Sequence, residues 1–172
     1  MSLNRIRLFL FFLLTMSKVY AEPPVEVISS CIHSKAIRPS VTFTELASPG
    51  YVSEDDECKN PFVAPIDDNS SFNVGAVNCS DGAYLILAGQ RLKLKDAVNK
   101  SMNHSVTPGS PIQAQDDWAE IDFNNQNYIC VNGSVGSMGN SNGIPQYYIV
   151  ENALGSNPVL YFYFFDDDIL KM

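Results

Sequence analysis

Histidine is scarce in this chain, with two among 172 residues, and tryptophan occurs once. Two imidazoles cannot build the multi-histidine cages that hold catalytic zinc or non-haem iron, so those centres are excluded. Basic residues are also few, eleven Lys and Arg against nineteen Asp and Glu. Nucleic-acid binding needs a cationic footprint along the phosphates, and this composition argues against one. Neither Gly-x-Gly-x-x-Gly nor Gly-x-x-x-x-Gly-Lys-Ser/Thr occurs, which removes the usual glycine-rich phosphate cradles. Cys-x-x-Cys is absent too, so neither a thioredoxin-type redox pair nor a zinc ribbon is supported. No apolar run reaches the roughly 20 residues of a spanning helix. No cofactor is expected.

What the sequence does carry begins at its N-terminus. Arg5 and Arg7 lead into an apolar stretch that ends at Met16, and Val19 and Ala21 place small residues at the −3 and −1 positions of a cut. This pattern describes a secretory signal peptide over residues 1–21, leaving one β-rich domain over 22–172 in the periplasm or outside the cell. A membrane anchor is the alternative, but the run is about half the necessary length. Cleavage removes Arg5, Arg7 and Lys18, so eight basic residues face nineteen acidic ones and the formal charge becomes −11. Such a surface favours fast capture of a basic protein partner. Plain solubility explains the charge equally well.

Cys31, Cys58, Cys79 and Cys130 all survive that cleavage. An even count in an oxidising compartment implies two disulfides, with three pairings open. Pairing Cys31 with Cys58 and Cys79 with Cys130 joins neighbouring segments and is the preferred arrangement.

Periodicity favours strands, as expected for a β-sandwich or a β-rich α+β fold with one or two short helices. The alternating, β-branched stretch Ser40–Leu46 reads as a half-buried strand, and Phe72–Val77 and Ala83–Leu87 read likewise. Gln90–Lys95 alternates leucines with cations, which predicts a strand with Arg91, Lys93 and Lys95 facing solvent. Asp96–Met102 predicts a short helix or loop. Trp118–Phe123 and Gln126–Val131 flank Asn124-Asn125, a hairpin signature, because asparagine tolerates the positive φ of tight turns. Pro23-Pro24 suggests a short disordered lead. Glu54-Asp55-Asp56-Glu57 belongs at the surface, since four adjacent carboxylates cannot be desolvated together.

Several groups were weighed for chemistry. Gly139-Asn140-Ser141-Asn142-Gly143 fits the Gly-x-Ser-x-Gly nucleophile elbow, but a flexible loop precedes it and Pro145 follows where a helix is required. Asp116, Asp117, Glu120 and Asp122 cluster around Trp118 and offer a carboxylate pair for glycoside cleavage; a solvated strand face carrying one amphipathic ring explains them with less. The final run Val159–Phe165 fits a strand covered on both faces, with Asp166–Asp168 beyond it matching no calcium loop. Asn-x-Ser occurs at Asn69, Asn78, Asn99, Asn103 and Asn132, glycan acceptors in a eukaryotic secretory route. The expectation is an exported, acidic, disulfide-stabilised binding protein, an inhibitor or immunity-type protein for a basic enzyme. Asp116, Asp117, Trp118, Met138 and Tyr147 are its expected contact residues. The alternative is a secreted module binding glycans or receptors through Trp118, Tyr147 and Tyr148, and a small hydrolase ranks third.

Overall fold

The computed structural model describes residues 21–47, 49–65, 74–102, 105–135 and 144–165. Met138 and Ser141 lie outside them. One α-helix, α1 (Val25–Ile32), opens the fold. The strands β1 (Val41–Glu45), β2 (Pro49–Glu54), β3 (Pro61–Pro65), β4 (Val74–Cys79), β5 (Gly82–Leu87) and β6 (Gln90–Lys93) follow. A 3-10 turn (Leu94–Asp96) then leads to β7 (Val98–Asn99), β8 (Asp117–Phe123), β9 (Gln126–Val135), β10 (Ile144–Glu151) and β11 (Val159–Phe164). Pro23-Pro24 does not begin a disordered lead, because α1 starts directly after it at Val25. Pro24 caps α1, its carbonyl accepting the N–H groups of Val27 and Ile28. Proline's fixed φ suits a helix start, and Glu26 in the first turn complements the helix dipole. Over 96–102, where a short helix or a loop is expected, the chain leaves the 3-10 turn at Asp96 and forms the two-residue strand β7.

The strands form two sheets. The larger runs β1-β8-β9-β10-β11-β7 and the smaller β2-β3-β4-β5-β6, the latter entirely antiparallel. The predicted hairpin is present: Asn124 and Asn125 take φ of 52° and 60°, and Trp118 pairs with Val131 across it.

Side-chain alternation builds two separate cores from the larger sheet. Trp118, Ile129, Val131, Tyr148, Val150, Phe162 and Phe164 point one way and meet Val74, Ala76, Leu85 and Leu87 of the smaller sheet. Ala119, Ile121, Tyr128, Cys130, Tyr147, Ile149, Tyr161 and Tyr163 point the other way and are covered by Val27 and Cys31 of α1. Val27 and Cys31 stand four residues apart, so one helix stripe supplies both contacts. The larger sheet is therefore buried on both faces, which explains the continuous aromatic run of β11.

The disulfides are Cys31–Cys130 and Cys58–Cys79, not the preferred pairing. Cys130 lies on the helix side of β9 and faces Cys31 of α1, while Cys79 ends β4 beside the β2–β3 connection that holds Cys58. Helix-on-sheet packing brings Cys31 to Cys130 across 99 residues, whereas Cys58 and Cys79 stand only 21 apart along the chain.

Candidate functional site

Of the expected contact residues, the four described ones, Asp116, Asp117, Trp118 and Tyr147, do not converge on a surface. Trp118 is 1% exposed and lies between the sheets, while Tyr147 is 3% exposed and lies under the helix, so the two rings face opposite layers. Burial pushes the Tyr147 hydroxyl up. Asp116 is buried as well. Its carboxylate accepts the Gln113 N–H at 2.8 Å while its own N–H donates to the Gln113 carbonyl, closing the turn into β8. A Cβ on Gly133 would stand 2.6 Å from that carboxylate, so glycine is what lets β9 pass. Asp116 is thus a staple of the fold. Asp117 is exposed at the start of β8, beside a small cavity of about 90 Å³ that Ser34, Phe43 and Glu45 also line.

Glu120 and Asp122 do share a strand face with Trp118, as the period-two reading requires. Asn127 Nδ2 donates to both, at 2.7 Å and 3.2 Å, and so ties the carboxylates together. Burial, then the Asp122 charge, raises the Glu120 carboxyl, and the Asn127 bond partly offsets this.

The polar groups that do converge lie on the smaller sheet, around Arg91. Rather than facing solvent, Arg91 folds over the sheet's outer face. Its Nη1 lies 3.0 Å from Asp55 Oδ2, its Nε 3.2 Å from Glu57 Oε2, and its guanidinium 5.1 Å above the Tyr84 ring. Asp55 is the one member of the acidic run drawn inward, with 13% of its side chain exposed. It accepts the Cys58 N–H at 2.9 Å, and the Arg91 hydrogen bond first and this backbone bond second hold its carboxyl below the usual range. Lys93 beside it pairs with Asp81 at 2.6 Å, and Tyr84 donates to the same carboxylate. That pairing lowers Asp81 to about 2 and raises Lys93 to about 12. These contacts and Cys58–Cys79 clasp the β2–β3 connection onto the sheet, leaving an open cleft of about 460 Å³.

Chemically, the cleft is occupied by its own ions. Arg91 and Lys93 already hold carboxylates, so neither is available to an anion. Asp55, Cys58 and Cys79 bring ligand-type atoms within 4.8 Å of one another. Both sulfurs are joined in a disulfide, however, and offer no thiolate.

Next to this clasp the smaller sheet ends in β2, an edge strand. Tyr51 and Val52 are 68% and 57% exposed there, and the pairing with β3 shifts register between Tyr51 and Ser53. Such a bulge re-aims side chains at a sheet edge. Beneath Tyr51 runs a groove of about 220 Å³, floored by Val63 and Ala76 and closed by Pro111 and Ile112. Glu54, which closes β2, and Asp56 and Glu57 of the β2–β3 connection are exposed. In the sequence this edge is hidden by Pro49-Gly50, two residues that break strands, although proline is tolerated on an edge. Comparison with family models, with curated proteins and with solved structures gives no match, so the site rests on its own geometry.

Proposed function

We propose that this protein is exported, to the periplasm or beyond the cell, and acts by contact as an inhibitor- or immunity-type protein for a basic protein partner. Its contact surface is the β2 edge with the β2–β3 connection. The observation that carries this reading is the juxtaposition of Tyr51 and Val52, both largely exposed, with Glu54, Asp56 and Glu57. An edge strand offers backbone groups for strand addition, and apolar side chains on it supply the desolvated centre of an interface. The carboxylates around it supply long-range attraction for a cationic surface. Two disulfides, and no described helix long and apolar enough to cross a membrane, are compatible with export.

Affinity capture from extracts of the native source, at low and high salt, tests the proposal. A basic protein should be retained at low salt, released at high salt, and lost when Tyr51→Ala or Glu54→Lys/Asp56→Lys is the bait. Retention of acidic proteins only, or capture indifferent to both variants, contradicts it. The glycan-platform reading loses its basis, because Trp118, Tyr147 and Tyr148 are all buried.

A further inference from the structure

The two residues that flank the expected cut, Ala21 and Glu22, dock against the larger sheet. Tyr161 of β11 donates its hydroxyl to the Ala21 carbonyl oxygen, and the same hydroxyl lies 2.9 Å from Glu151 Oε2. Tyr163 donates to Glu22 Oε1 at 3.3 Å, and Gln126 Nε2 donates to Glu151 Oε1 at 2.9 Å. Two carboxylates, Glu22 and Glu151, stand among buried phenols, and no described Lys or Arg forms an ion pair with either. The phenols register this excess of negative charge. Burial first and the Glu151 charge second raise Tyr128 to about 12, and Tyr163 is raised further by burial, Glu22 and Glu151.

A cation with several N–H donors would complete this cluster, and hydrolysis of the Ala21–Glu22 peptide bond produces one. Water adds to the Ala21 carbonyl, the C–N bond breaks, Ala21 leaves as a carboxylate, and the Glu22 nitrogen becomes an ammonium carrying three donors. By peptide geometry that nitrogen starts only about 2.3 Å from the carbonyl oxygen that Tyr161 now holds. We infer that the α-ammonium group of Glu22, once freed by processing, docks on Glu151 and the Tyr161 hydroxyl, so that cleavage after Ala21 locks the N-terminus onto the larger sheet. This rests on the export reading, from which the cut is taken.

An ammonium paired with a carboxylate has its pKa raised above the ordinary range of about 7.7–8.0. The stability it adds is then full below pH 7 and lost as pH rises through the raised value. The groups facing it are Glu22 itself, Gln126 and Tyr128 of β9, Glu151 of β10, and Tyr161 and Tyr163 of β11.

The test is to pass the full chain through a secretory host, weigh the product, and follow Tm from pH 6 to 10 for wild type and Glu151→Gln. Glu45→Gln on exposed β1 serves as a control, and Tyr161→Phe as a second variant in case Glu151→Gln folds poorly. The expected product begins at Glu22 and loses about 3 °C more than Glu151→Gln between pH 7 and 10, for a one-unit rise in the ammonium pKa. A product beginning at Glu22 whose pH profile matches that of Glu151→Gln overturns the docking but leaves export standing. A product that keeps its leader overturns the export reading, and one that starts elsewhere overturns the cut after Ala21. The profile of 22–172 released from a cleavable fusion then decides the docking separately.

Discussion

The two sheets of this protein are built from similar alternating strands yet meet very different surroundings. The larger sheet is covered on one face by the smaller sheet and on the other by α1, so Trp118, Tyr128, Tyr148, Tyr161, Phe162 and Tyr163 are all at most 2% exposed. The smaller sheet packs its inner face on the larger sheet, while its outer face also buries Val77 and Ile86. Its outer face is covered by the β2–β3 connection, held by Arg91, Asp55 and Cys58–Cys79, and its β2 edge carries Tyr51 and Val52 in solvent. A continuous aromatic run is therefore a packing signature here, whereas two isolated side chains on an edge strand mark the exposed surface. Stability belongs to the first sheet, and recognition, in our reading, to the second.

The bridges should break this comparison most sharply. Cys31–Cys130 spans 99 residues and Cys58–Cys79 spans 21. The chain-entropy model assigns about 4.7 kcal/mol to a loop of the first length and about 3 kcal/mol to the second. Paired Cys→Ser variants in urea unfolding should keep that order, and reversal of it places the stability in the smaller sheet. Next, Trp118→Ala should cost about 3–5 kcal/mol by the same measurement, while Tyr51→Ala should stay within about 0.5 kcal/mol. Equal costs at the two rings contradict the division between buried and presented aromatics.

A smaller effect is expected at the clasp. Gly75 lies under the Phe62 ring, which a Cβ would meet at 2.1 Å, so Gly75→Ala should cost about 1–3 kcal/mol. Breaking the Asp55–Arg91 pair with Asp55→Asn should cost about 1–2 kcal/mol, between the exposed and buried limits for ion pairs. Because the Asp55 pKa is lowered in the folded state, its contribution is present above about pH 4 and disappears as pH falls through the folded value. The Asp55→Asn and wild-type curves should therefore converge in acid. The smallest effect has the opposite sign. Glu120 is raised, so its charge opposes folding at neutral pH, and Glu120→Gln should increase Tm at pH 7 with the gain vanishing below about pH 4.

Much of the β framework could be read directly, and the hairpin shows why. Trp118–Phe123 and Gln126–Val131 alternate, Asn124-Asn125 accept positive φ, and both signals are local. The placement of Glu120, Asp122 and Trp118 on one strand face was legible for the same reason. Which of the three lies beneath another layer was not, because that depends on how far the smaller sheet extends over β8. The disulfide pairing failed similarly: Cys31 and Cys130 meet through helix-on-sheet packing between segments 99 residues apart. Arg91 reads as solvated from its own strand, which shows that it alternates with leucines but not that Asp55, 36 residues earlier, folds back over it. The shortness of α1 hid it behind Pro23-Pro24, although the four-residue spacing of Val27 and Cys31 was available. The β2 edge was obscured because exposure is a property of sheet order.

Amide hydrogen exchange on the protein with and without its captured basic partner tests the central claim most directly. New protection confined to 49–60, with the β8–β11 amides unchanged, is the predicted result. Protection arising across β8–β11 while 49–60 exchanges as before would place recognition on the wrong sheet and contradict it.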